Sequence, residues 1–269
     1  MIKSSKFLSL MVASTVISIG GVQAETAQQK GLSIAKEQDR RDLGWKDSKS
    51  SLKMVLKNRH GQKSSRKFRI WSLEINKAGF GDRSMSIFDH PGDIKGTALL
   101  SHTKITKSDD QWLFLPAIKR VKRISSANKS GPFVGSEFAY EDLLSNEVER
   151  YKYKWIKDQK CSKKSKLTCF VVERYPVYKN SGYTRQVVWI DQKEYRIRKV
   201  DFYDRKKSRL KTLSLKKYKK YSGQYWRAHR LVMKNHQTGK STTLTFANYK
   251  FNTGLQQGDF TKSKLKTTR

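Results

Sequence analysis

The sequence predicts a mainly β (α+β) fold, a strongly curved antiparallel sheet forming an open half-barrel of about eleven strands, with short helices over its concave face. Three observations lead there. Most of the chain alternates apolar and polar residues with period two, the connections are short and polar, and only two stretches carry a helical pattern. Of the 269 residues 36% are hydrophobic, including 6 Trp, 12 Tyr and 12 Phe, which is core-forming material that a disordered basic tail lacks.

The elements follow in chain order. Lys3 and Lys6 precede an apolar run from Phe7 to Ile19 that closes on Val22-Gln23-Ala24, the pattern of a cleavable secretory signal peptide over residues 1–24. The run is too short to span a bilayer easily. Residues 25–269 then form a single domain. From Gln28 to Leu43, Leu32 and Ala35 among charged neighbours predict one short helix, closed by Gly44. The period then becomes two: Leu52, Met54 and Leu56 face one way, and after the His60-Gly61-Gln62 turn Trp71, Leu73 and Ile75 repeat the theme.

Further strands are expected at Ser84 to Phe88, Thr97 to His102, Gln111 to Leu115, Lys119 to Ile124, Val148 to Lys157 and Thr168 to Tyr175. Thr184 to Ile190, Arg196 to Tyr203, Leu210 to Tyr218, Trp226 to Asn235 and Ser241 to Phe251 complete the meander. Turns such as Asp89-His90-Pro91-Gly92 and His236-Gln237-Thr238-Gly239 imply that sequential strands are neighbours. A second helix is expected from Ser136 to Asn146, with Ser136 as its cap and Glu137, Glu141 and Asp142 as acids near its start. Tyr151-Lys152-Tyr153-Lys154-Trp155 and Arg196 to Phe202 set charge on one sheet face and large apolar groups on the other. Such a face is either packed solidly or left in part as an apolar cavity.

Cys161 and Cys169, on either side of a Lys-rich stretch, are expected to form a disulfide across the mouth of a hairpin, because an exported chain meets an oxidising compartment. No metal site, cofactor site or catalytic constellation is expected. His60, His90, His102, His229 and His236 are scattered, and neither a nucleophile elbow nor a phosphate loop is present.

The formal charge of +35, from 58 Lys plus Arg against 23 Asp plus Glu, gives a strongly cationic surface that any account of function must explain, and the charge alone does not name the partner. Lysine and arginine strips interleaved with Tyr and Trp also fit a nucleic-acid footprint, but export argues against that partner. Between Gln111 and Ile124, Trp112 and Phe114 are apolar while Lys119, Arg120, Lys122 and Arg123 make a basic strip for anionic headgroups or a membrane surface. Gly131-Pro132-Phe133-Val134-Gly135 reads as an apolar loop, either a lid over a cavity mouth or an ordinary connection.

The stretch from Asp109-Asp110-Gln111-Trp112-Leu113-Phe114-Leu115-Pro116 through Gly131-Pro132-Phe133-Val134-Gly135-Ser136-Glu137-Phe138 to Asp142 resembles the outer-membrane lipoprotein-sorting protein family of secreted bacterial proteins. That family is related in fold to the LolA and LolB lipoprotein carriers, and the general layout from Leu32 onward fits as well. The resemblance implies a LolA-like half-barrel, a periplasmic location in a Gram-negative-type envelope, and non-catalytic binding of the acyl chains of a lipoprotein or lipid. It also implies a possible neighbour among resistance-nodulation-division (RND) export transporters. The chain departs from a typical carrier in its strong basicity and in the Cys161 to Cys169 hairpin.

On this reading the protein is a monomeric carrier that sorts its cargo towards the outer membrane. Trp71, Leu73, Trp112, Phe114, Phe133, Phe138, Tyr153, Trp155, Val188, Phe202 and Trp226 are the candidate cargo contacts. Burial of one long acyl chain, at about 0.8 kcal/mol per methylene, supplies on the order of 10 kcal/mol before ordering costs, so no covalent step is needed. The alternative is a cationic envelope-interaction module with a solidly packed core and no cargo.

Overall fold

The computed structural model describes residues 24–268. The signal-peptide segment lies outside the described residues, apart from Ala24. Helix α1 (Ala27–Arg40) opens on a capping box in which Thr26 and Gln29 satisfy each other's backbone N–H groups. It crosses so close to the next layer that a Cβ at Gly31 would stand 2.7 Å from the backbone nitrogen of Trp155, which requires glycine there. Both carboxylate oxygens of Glu74 then take N–H bonds from Gly44 and Lys46 and fix the entry into the sheet.

One antiparallel sheet of thirteen strands holds the rest. These are β1 (Asp47–Lys57), β2 (Lys63–Leu73), β3 (Phe80–His90), β4 (Ala98–Lys104), β5 (Asp110–Leu115), β6 (Arg120–Ile124) and β7 (Tyr151–Lys160), followed by β8 (Thr168–Pro176), β9 (Arg185–Asp191), β10 (Ile197–Tyr203), β11 (Arg209–Tyr221), β12 (Tyr225–Asn235) and β13 (Ser241–Phe251). Neighbours run β6-β5-β4-β3-β2-β1-β13-β12-β11-β10-β9-β8-β7, so the last strand pairs with the first and the ends do not meet. The result is an open half-barrel whose two edges, β6 and β7, are studded with lysines and arginines, which discourages further strand pairing.

Two corrections to the expected elements have clear causes. Ser136 to Asn146 contains only the single 3-10 turn Tyr140–Leu143. Its acids are drawn to partners on the sheet rather than to a helix of their own. The second α-helix is instead α2 (Lys262–Thr267), and its Leu265 is buried with Phe260, Met85, Ile87, Ala98 and Leu100 on the outer face of the sheet. The inner face buries Ile34 of α1 with Leu52, Met54, Phe68, Phe88, Leu99, Val172, Val188, Val200 and Phe202. The sheet thus has two cores, one on each face.

A candidate acyl cavity and its mouth

Residues 125–150 leave the β6 edge, cross the concave face and return to β7. Phe133 plugs the middle of that face: it is 0% exposed, with its ring centroid 5.6 Å from Phe88, 6.4 Å from Phe68 and 5.9 Å from Tyr140. The loop around it is a tight turn in which the Phe133 N–H donates to the Phe138 carbonyl over 2.7 Å.

Buried polar groups clamp the segment at three points. Arg150 donates to both oxygens of Asp109, at 2.5 and 2.9 Å, with Lys129 Nζ 3.6 Å from the same carboxylate. The cations of Lys129 and Arg150 lie 4.2 and 4.3 Å from the centre of the Tyr178 ring. Glu141 accepts from the Ser181 hydroxyl, the Gly182 N–H and the Tyr178 hydroxyl at 2.9, 2.8 and 3.2 Å, and burial raises its carboxyl above the usual range. Asp142 accepts from Lys211 Nζ and from the Tyr183 hydroxyl, each at 2.7 Å, while Glu137 accepts from Asn235 at 2.7 Å. A charge left unpaired here carries a heavy desolvation penalty, so the segment is locked to Asp109 just before β5, to the β8–β9 loop and to β11 and β12 rather than draped over them.

Beside the plug a cavity of about 170 Å³ remains between the segment and the sheet. Ile197, Val200 and Phe202 of β10, Leu213 and Leu215 of β11 and Leu231 of β12 supply its apolar wall; Phe138 and Leu144 supply the facing side. A smaller recess of about 30 Å³ lies under α1, lined by Tyr153, Val188 and Asp39. Burial there, with Glu147 and Glu149 nearby, pushes the Asp39 carboxyl up to about 6.

Ile197 and Leu215 also line a second, wider space, an open basin of about 590 Å³ at the C-terminal end of α1. Its walls are Tyr195, Tyr218 and Trp226, topped by Arg40, Arg41, Arg196 and Lys220. Arg196 lies 4.4 Å over the Trp226 ring and donates to Asp191 at 2.8 Å; Arg41 lies 4.2 Å over Tyr195. The Tyr218 hydroxyl donates to the Ile197 carbonyl, and burial raises its phenol. The basin falls within the roughly 300–1,000 Å³ of small-ligand sites, whereas the cavity does not.

The eleven sequence-level contacts separate accordingly. Phe133, Phe138, Tyr153, Trp155, Val188 and Phe202 lie on the concave side, and Trp226 lines the basin. Trp71, Leu73, Trp112 and Phe114 lie on the outer face with the α2 core and do not line the cavity. Alternation alone does not reveal which parity faces in, and β2 and β5 carry large apolar groups on both faces. Ile197, Val200, Leu213, Leu215 and Leu231 were missed, although Leu213 and Leu215 sit at matching parity and Val200 pairs with Leu213 across the ladder. Lys119, Arg120, Lys122 and Arg123 are exposed at the β6 edge, where Arg123 pairs with Asp110.

The Cys161–Cys169 disulfide is present, with Cα atoms 5.0 Å apart, at the mouth of the β7–β8 hairpin. Among the described residues no group of three or more His, Cys, Asp or Glu side chains is arranged to hold a metal ion.

A family model described as "-like: Uncharacterized protein" matches residues 81–267. The chain is 54% identical to an outer membrane lipoprotein-sorting protein domain from Vibrio parahaemolyticus, with a TM-score of 0.85 over 89% of this chain and 99% of that one. It is 27% identical to a DUF1329 family protein from Desulfovibrio piger, with a TM-score of 0.83 over 89% and 99% of the two chains. A LolA superfamily protein from Nitrosomonas europaea shares the fold, with a TM-score of 0.69 at 20% identity over 90% of this chain and all of that one. No curated protein matches the chain.

Proposed function

We propose that this chain, which belongs to the outer membrane lipoprotein-sorting protein family with the LolA superfamily fold, is a periplasmic carrier of acyl chains. It holds the chains of a lipoprotein or lipid for sorting towards the outer membrane, without covalent chemistry. The observation that carries this reading is the cavity beneath residues 125–150, apolar on its β10–β12 side and polar at Glu141, Asp142, Arg150 and Arg174, which shares Ile197 and Leu215 with an open, aromatic-walled basin.

An acyl chain enters from the basin and runs past Ile197 and Leu215 towards Val200, Phe202 and Leu213. The closed cavity is too small for a long chain. Loading therefore requires the basin, or an outward shift of the turn that carries Phe138 and Leu144. An RND-type transporter is the kind of membrane partner from which such a carrier would receive or to which it would deliver cargo.

The test is native mass spectrometry of the mature protein purified from the periplasm, followed by solvent extraction and lipid analysis. Bound acyl lipid or lipoprotein is expected, and Leu215→Glu should abolish it while the circular dichroism spectrum is kept. A protein that stays free of lipid, and takes up none when offered it, leaves the packed cationic envelope module as the better account.

A further inference from the structure

The turns of this sheet fall at two ends, both rich in exposed lysine and arginine, and the basin opens at one of them. At the basin end the β7–β8 loop carries Lys163, Lys164 and Lys166, the β9–β10 turn carries Lys193, and the close of β11 carries Lys219 and Lys220. All six are exposed, and none enters an ion pair among the described residues.

Contacts between the elements hold this end together. The Gln192 N–H donates to the Thr168 carbonyl at 3.0 Å, Arg41 donates to the Lys193 carbonyl at 3.1 Å, and Gln224 donates to the Leu43 carbonyl at 3.3 Å. Leu43 itself points into solvent, 53% exposed, where α1 hands over to the sheet beside the basin. The end therefore presents an apolar side chain among unpaired ammonium groups, around the opening of the basin that Ile197 and Leu215 line.

We propose that this end of the half-barrel docks on an anionic lipid bilayer, with the lysines on the headgroup phosphates and Leu43 at the acyl boundary, so that the basin opens onto the membrane. Six unpaired lysines at one end supply the charge complementarity, and surface attraction adds to the insertion of an apolar group. The Cys161–Cys169 bridge keeps three of those lysines on one short loop. Docking deepens the carrier reading but is separable from it. A protein that binds vesicles and carries no acyl chain would lose the carrier reading and keep this one.

The experiment is vesicle flotation of the mature chain, with vesicles of phosphatidylcholine alone and of phosphatidylcholine mixed with phosphatidylglycerol, at low and at raised salt. Binding is expected only to the anionic vesicles and should weaken as salt rises. The triple variant Lys163→Glu, Lys164→Glu, Lys166→Glu should lose about a hundredfold in affinity, since each lysine near such a surface contributes about fivefold. Leu43→Asp should also weaken binding.

Two equal-charge controls keep the proposal falsifiable. Lys179→Glu, Lys206→Glu, Lys207→Glu reverses exposed turns at the opposite end, and Lys119→Glu, Arg120→Glu, Lys122→Glu reverses the β6 edge. Both should stay within about twofold of the parent protein if the basin end is the docking face. Equal losses in all three triples would reduce the effect to net charge, a loss confined to either control would move the surface elsewhere, and no binding to anionic vesicles by the parent would end the proposal.

Discussion

The β1–β4 region carries a hydrophobic core on each face of the sheet, whereas β8–β12 carries one on the inner face only. In the first region Met54, Phe68, Phe88 and Leu99 pack inward on Phe133, while Met85, Ile87, Ala98 and Leu100 pack outward on Phe260 and Leu265. In the second region the outer face is dressed by cations on rings instead, with Lys199 3.4 Å over Trp189 and Arg185 3.8 Å over Tyr203. Its inner face keeps the cavity. On the proposed reading, the doubly packed half of the sheet acts as frame and the other half as binding wall.

That contrast can be broken most forcefully at the plug. Phe133→Ala should cost about 3–5 kcal/mol in urea unfolding, because the ring is fully enclosed in the frame. Leu215→Ala, on the half-open cavity wall, should cost less than about 2 kcal/mol and chiefly alter lipid uptake. If the two cost the same, the division into frame and wall fails.

The clamp comes next. Arg150→Met leaves the Asp109 carboxylate with the Lys104 N–H and the more distant Lys129 ammonium, and should destabilise the protein by about 3 kcal/mol or more at neutral pH. A loss of less than about 1 kcal/mol would mean that packing rather than charge holds the segment.

Replacing Cys161 and Cys169 together by Ala should cost about 2–3 kcal/mol, as expected for a loop this short. Vesicle binding should fall with it if the bridge orders the lysine loop.

The smallest effect is a pH signature inside the frame. Burial, with Glu147 and Glu74 nearby, pushes the Asp82 carboxyl up to about 7. Its folded pKa lies above the unfolded value, so it favours the fold at low pH and that contribution is lost as pH rises through about 7. Asp82→Asn should therefore raise the thermal midpoint at pH above 7 and change it little near pH 4. A gain of equal size at both ends of that range would contradict the assignment.

Much of this frame was legible in the sequence. Period-two alternation and polar turns located most strands to within a few residues, although β2 starts at Lys63 rather than near Trp71, and the export pattern pointed to the disulfide. The sheet has thirteen strands where about eleven were expected. The binding wall was harder to read. Trp112 and Phe114 look like a binding stripe by composition, yet they face α2, an element too short and too charged to be seen as a helix from its pattern. Glu137, Glu141 and Asp142 look like acids near a helix start. Their partners, Asn235, Ser181 and Lys211, lie far along the chain, and no local pattern announces them.

The central claim is that an acyl chain lies against β10–β12 and not against the aromatic stripe of β5. The direct measurement is photocrosslinking of the mature protein with a long-chain fatty acid bearing a diazirine near its terminal methyl, with the labelled peptides mapped by mass spectrometry. The account predicts label on Val200, Leu213, Leu215 and Leu231. Label on Trp71, Trp112 or Phe114, or no label above that of a protein unfolded in urea, would contradict it.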